Sequence, residues 1–118
     1  MKAELKRIHS PDVYTLENFE PNEADKFGIL LQLMVGPVNT EGEESFDLMV
    51  CTPKWLSDNY GKTDIVFGRH YLIVFEYDYD AIYSKLKSII ESIDADNWED
   101  LGLLIGRIAK WEFEDYQN

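Results

Sequence analysis

The sequence has one cysteine, Cys51, two histidines, His9 and His70, and only 11 lysines and arginines against 23 aspartates and glutamates in 118 residues. A lone cysteine excludes an internal disulfide and any CxxC pair, which suits a reducing compartment, so a cytoplasmic location is expected. The shortage of cations leaves a formal charge of -12 and an isoelectric point near 4.4. Such a charge opposes attraction to phosphate backbones and anionic lipid surfaces, so neither nucleic acid nor membrane is expected as a partner. Long hydrophobic runs are missing too. The opening Met1-Lys2-Ala3-Glu4-Leu5-Lys6-Arg7 lacks a continuous apolar core, and no stretch approaches the length of a membrane span, so neither export nor insertion is expected. No internal repeat, low-complexity tract or interdomain linker interrupts the chain.

With 45% hydrophobic and 29% charged residues, the chain has the composition of one globular domain, taken as residues 1–118. A chain of this length buries enough surface to need no disulfide or metal for stability.

Residues 2–9, with Ala3, Leu5 and Ile8 apolar, predict a short edge strand. Two prolines and five acids over residues 10–26 predict a long connection that folds Tyr14, Leu16 and Phe19 back onto the body. The nearly continuous apolar run Phe27–Val35 predicts a strand covered on much of both faces, stopped by Gly36-Pro37. Residues 38–44 read as a polar hairpin loop. Alternation then places Phe46, Leu48 and Val50 on one face of a strand over 45–52, with Ser45, Asp47, Met49 and Cys51 on the other. Thr52 as N-cap with Pro53 behind it predicts a short helix through Ser57, and Trp55 reads as a packing residue closing the bottom of the core. Residues 69–77 are rich in branched and aromatic side chains and predict another strand.

After Tyr77 the period changes. Ile82, Leu86, Ile89, Ile90 and Ile93 form one stripe of an amphipathic helix over about 80–93. Asp96 with Glu99 resembles a capping box, and Trp98, Leu101, Leu104, Ile105 and Ile108 predict a second helix running to about Trp111. Gly102 and Gly106 weaken that helix and permit close packing. The expectation is an α+β domain: an antiparallel sheet of about four strands, two C-terminal helices on one face, and a short helix after Pro53.

If the three strong strands form a meander, the 38–44 loop and the 77–80 turn share one edge, and the helix pair returns the C-terminus there. Glu41, Glu43, Glu44, Tyr77, Asp78, Tyr79, Asp80, Glu112, Glu114 and Asp115 would then converge, with Tyr116 among them. Tyrosines make large desolvated anchors, and carboxylates steer a basic partner and bond to its Arg and Lys, so these ten residues form the candidate binding surface. Each also has a plain structural reading, because acids cap helices and aromatic residues near element ends often belong to cores.

Catalytic signatures are missing. Two histidines, no GxSxG around any serine, and a strand cysteine without a neighbouring base give no nucleophile and base pair. No HExxH, Cys-His set, EF-hand loop or glycine-rich phosphate loop occurs, so no metal and no cofactor are expected. Nothing among the many acids selects a glycosidase pair.

At Cys51-Thr52-Pro53-Lys54-Trp55-Leu56 the sequence resembles the immunity protein 8 family of bacterial polymorphic toxin systems. The opening Lys2-Ala3-Glu4-Leu5-Lys6, Phe27-Gly28-Ile29, Gly36-Pro37 with its acidic hairpin, Trp98 and the closing Trp111-Glu112-Phe113 extend the likeness over nearly the whole chain. The resemblance implies a small cytoplasmic antidote, made beside a secreted or contact-delivered toxin, that binds and neutralises the toxin domain and is not itself an enzyme. It also implies inhibition by occluding the toxin's active site or a nearby exosite, and an acidic inhibitor suits a basic toxin. Two other classes stay open on residues alone: a small enzyme or ligand-binding domain, and a structural interaction subunit whose acids are merely solvated.

Overall fold

The computed structural model describes residues 1–113. Its elements run β1 (Ala3–His9), β2 (Gly28–Pro37), β3 (Glu44–Cys51), α1 (Pro53–Asn59), β4 (Tyr71–Ile73), α2 (Tyr79–Glu91), α3 (Trp98–Ile105) and β5 (Lys110–Trp111). The class is α+β as expected, with two C-terminal helices and a short helix behind the Thr52 cap, whose hydroxyl accepts from the Trp55 N–H.

The sheet has the order β1-β2-β3-β4, and β5 also pairs with β3. β1–β2 and β2–β3 are antiparallel. β4 runs parallel to β3, in register from Met49 with Tyr71 to Cys51 with Ile73, so the sheet is mixed and the expected meander is not formed. The reason is the connection: α1 and residues 60–70 carry the chain back along β3, and a chain returned in this way re-enters in the same direction. β4 is also shorter than the predicted 69–77. His70 adopts a left-handed φ of 67° at its start, and beyond Val74 the chain leaves β3 to bring the Tyr77 ring against Phe27.

One face of the sheet holds the core. Ile29, Leu31, Leu33 and Val35 of β2 and Phe46, Leu48 and Val50 of β3 are buried there, joined by Ala3, Leu5, Ile82, Leu86, Ile90, Leu101 and Ile105. On the opposite face Leu30, Gln32 and Met34 are only half-buried. The continuous apolar run of β2 therefore does not mean cover on both sides. Near its end this face is closed by Trp55, whose ring lies where a Cβ on Gly28 would come within 2.2 Å. Trp55 is thus a packing residue, although on the face away from the helices.

The 10–26 connection contributes Leu16, Val13 and Phe19 to the core, while Tyr14 is fully exposed and makes no such contribution. α2 follows the predicted stripe. α3 is capped by Asn97, whose side chain accepts from the Asp100 N–H, and not by Asp96. It stops at Ile105, well short of Trp111. Gly106 is a poor helix residue, and Trp111 does better in β5, paired with Phe46 in register and stacked on its ring at 6.0 Å and 11°. Gly102 makes room for this, because a Cβ there would lie 2.7 Å from the Trp111 ring.

Candidate functional site

The parallel entry of β4 decides where the candidate residues fall. Phe27 and Cys51 mark one end of the β2–β3 ladder, and Val35 and Glu44 mark the other. The two ends are about 23 Å apart at a rise of about 3.3 Å per strand residue. Tyr77–Asp80 lies at the first end and the 38–44 loop at the second, so the single convergent edge expected from a meander is corrected to two separate clusters. Glu114, Asp115 and Tyr116 lie outside the described residues.

At the first end, Glu17, Asn18, Phe19, Glu20, Tyr77, Asp78, Tyr79 and Asp80 line a groove of about 530 Å³. Its floor is aromatic. The Tyr77 ring meets Phe19 edge-on at 4.9 Å and Phe27 at 5.2 Å, and its hydroxyl donates to the Leu16 carbonyl at 2.5 Å. Burial pushes the Tyr77 hydroxyl up to about 12, with Tyr79 and Glu17 adding to the shift. Burial likewise raises Tyr79. Asp78 caps α2, its carboxylate accepting from the Ala81 N–H at 3.1 Å. Glu17, Glu20 and Asp80 are exposed. Among the described residues no cation lies within ion-pair distance of these four carboxylates. Glu17 and Glu20 were not singled out from the sequence; their spacing around Phe19 was the available signal.

At the second end three of the acids are occupied. Glu44 accepts from the indole N–H groups of Trp98, at 2.9 Å, and Trp111, at 2.6 Å. Glu43 pairs with Arg7 at 2.7 Å. The Glu112 carboxylate accepts from the Ser45 N–H at 3.2 Å, so the C-terminal segment does return to the hairpin end. Glu41 is exposed. A cavity of about 380 Å³ between the loop and Trp98 is lined by Pro37, Thr40, Gly42, Glu43, Glu44 and Trp98.

The reactive groups elsewhere are tied down. Cys51 is buried, and burial pushes its thiol up to about 11, away from the thiolate form. His70 Nε2 lies 2.7 Å from the Gly106 carbonyl and links the start of β4 to the end of α3. Among the described residues no group of three or more His, Cys, Asp and Glu side chains is placed to hold a metal ion. Among them, too, no helix is long and apolar enough to cross a membrane.

These features define a small α+β domain with a mixed sheet, two C-terminal helices and an acidic aromatic groove at one end. The chain belongs to the immunity protein 8 family, whose model matches residues 3–116, and membership gives it an immunity role in toxin systems with a toxin as its partner. No curated protein and no solved structure matches the chain.

Proposed function

We propose that this immunity protein neutralises a basic toxin domain by direct binding in the cytoplasm, and that the groove of Glu17, Glu20, Tyr79 and Asp80 is the surface that meets it. The observation that carries this reading is the set of four groove carboxylates without a cation partner among the described residues, set over a rigid aromatic floor. Unneutralised carboxylates in a concave site concentrate negative potential and raise the encounter rate with a cationic surface. The net charge of -12 acts in the same direction. Once docked, carboxylates form short bonds with Arg and Lys, and the half-buried Tyr79 supplies a stiff contact surface. Occupying the basic active site or exosite of the toxin excludes its substrate, and no chemistry is required of the inhibitor.

The acids of the hairpin end serve this reading less well. Moving Glu43, Glu44 or Glu112 onto a partner would break Arg7, tryptophan or backbone bonds that the fold already uses. The test is stopped-flow association of the protein with its cognate toxin domain. The triple variant Glu17→Lys, Glu20→Lys, Asp80→Lys is expected to associate at least about tenfold more slowly at low salt and with a flatter salt dependence. Association unchanged in the triple variant would remove the groove from the interface, and absence of any complex would remove the binding reading itself.

A further inference from the structure

An exposed carboxylate paired with a cation raises affinity by a factor of only about five or less, because water and salt screen the pair. Contacts of Glu17, Glu20 and Asp80 therefore speed encounter more than they prolong a complex, whose lifetime depends on apolar groups that leave water on docking. Groups of that kind lie next to the acidic groove. A second groove, of about 340 Å³, runs between residues 72–76 and the first turns of α2, and its lining includes Leu72, Ile73, Val74, Phe75, Ala81 and Lys85. Asp78 lines both grooves, so the two meet at the start of α2.

Where the first groove is acidic, the second is largely apolar. Leu72 and Val74 pack against the core, whereas Ile73, 43% exposed, and Phe75, 73% exposed, do not. The path of the chain leaves them in solvent: after the Val74 N–H bonds to the Cys51 carbonyl, the backbone departs from β3 to carry the Tyr77 ring onto Phe19 and Phe27. Ala81 is the smallest side chain on the α2 wall, and a longer one there would fill the groove.

We infer that this second groove takes a leucine- or phenylalanine-class side chain of the toxin, carried on the same segment whose arginine or lysine enters the acidic groove. The inference rests on the toxin-binding reading of that groove. Continuity and charge select the occupant. The grooves share Asp78, so a cation seated among Glu17, Glu20 and Asp80 brings its neighbours on the toxin surface over Phe75 and Ala81. A second copy of this chain fits poorly there, because it would set another formal charge of -12 against the same carboxylates. Carboxylates then govern the rate of approach, and the desolvated side chain governs the rate of departure.

Dissociation of the complex with the cognate toxin domain, followed by chase with unlabelled protein, tests this. Phe75→Ala removes one wall of the groove, and Ala81→Gln fills it with an uncharged side chain that a helix tolerates. Both positions are exposed, so the circular dichroism spectrum is expected to stay unchanged. Each variant is expected to dissociate about tenfold faster or more, with the association rate and its salt dependence unchanged. Dissociation unaltered in both variants overturns the inference and leaves the acidic groove standing. Normal association of the Glu17→Lys, Glu20→Lys, Asp80→Lys variant overturns the acidic groove as interface, and the shared segment with it, whatever Phe75 does. Isolated protein that sediments as a dimer, and as a monomer once Phe75→Ala is introduced, gives the groove to a second copy and overturns the inference as well.

Discussion

Glu44 holds two tryptophans at once: a single carboxylate oxygen accepts the indole N–H of Trp98, on α3, and of Trp111, on β5. The residue at the start of β3 thereby ties the last helix and the last strand to the sheet. Phe46 sits two residues along the same strand, edge-on to Trp98 at 6.5 Å and stacked on Trp111 at 6.0 Å. Charge, hydrogen bonding and ring packing meet at one corner.

Glu44→Ala is expected to destabilise the fold by about 2–4 kcal/mol, because it leaves two partly buried donors without their charged acceptor. Glu44→Gln keeps one acceptor oxygen and is expected to cost less. Urea unfolding followed by tryptophan fluorescence measures both, and a neutral alanine variant would show that the clamp contributes nothing.

Gly102→Ala separates helix propensity from packing. An exposed helical glycine replaced by alanine gains about 1 kcal/mol, but here the new methyl would meet the Trp111 ring, which is 8% exposed and has no room to retreat. A net loss of about 1–3 kcal/mol is expected. Gly28→Ala meets the half-buried Trp55 and is expected to cost less, since that ring can swing toward solvent. Melting temperatures of the two variants give the order directly.

Tyr77 separates fold from interface. Tyr77→Ala opens the three-ring cluster with Phe19 and Phe27 and is expected to cost about 3–5 kcal/mol. Tyr77→Phe keeps the rings and loses only the bond to the Leu16 carbonyl, about 0.5–1.5 kcal/mol. If toxin release is unchanged in the phenylalanine variant, Tyr77 acts on the interface only through the floor it builds.

Alkaline pH tests the burial of Cys51. Its thiol is raised from an ordinary 9.0 to about 11 in the folded protein, so the folded state holds the proton more tightly than the unfolded chain. The associated stability is complete below pH 9 and lost as pH rises through 11. Chemical denaturation across that window is expected to show a fall that Cys51→Ala flattens. Tyr77, raised from 10.0 to about 12, adds a later loss between those values that the alanine variant retains.

Much of this was legible in the chain. Alternation in β3 and the 3.6-residue stripe of α2 are local patterns, and each appears at nearly the predicted bounds because a buried face must recur at the period of its backbone. The Thr52-Pro53 helix start depends on one hydroxyl and one ring and could be read directly. The limits were nonlocal. The sequence carries no mark of β4 running parallel, because direction is decided by the path of α1 and residues 60–70 in space. Nor could it show that Glu43 and Glu44 are engaged while Glu17, Glu20 and Asp80 have no cation beside them among the described residues, since each outcome depends on a residue far away in the chain.

Composition and periodicity determined that this chain is acidic and of α+β class, with its core on the alternate residues of β2 and β3 and the buried stripe of α2. Tertiary structure decided which acids are structural and which face a groove, where the last helix gives way to a strand, and in which direction β4 enters the sheet. The physical reason is range: backbone period and capping act over a few residues, whereas the occupancy of a carboxylate or an edge is settled by whatever the rest of the chain brings beside it.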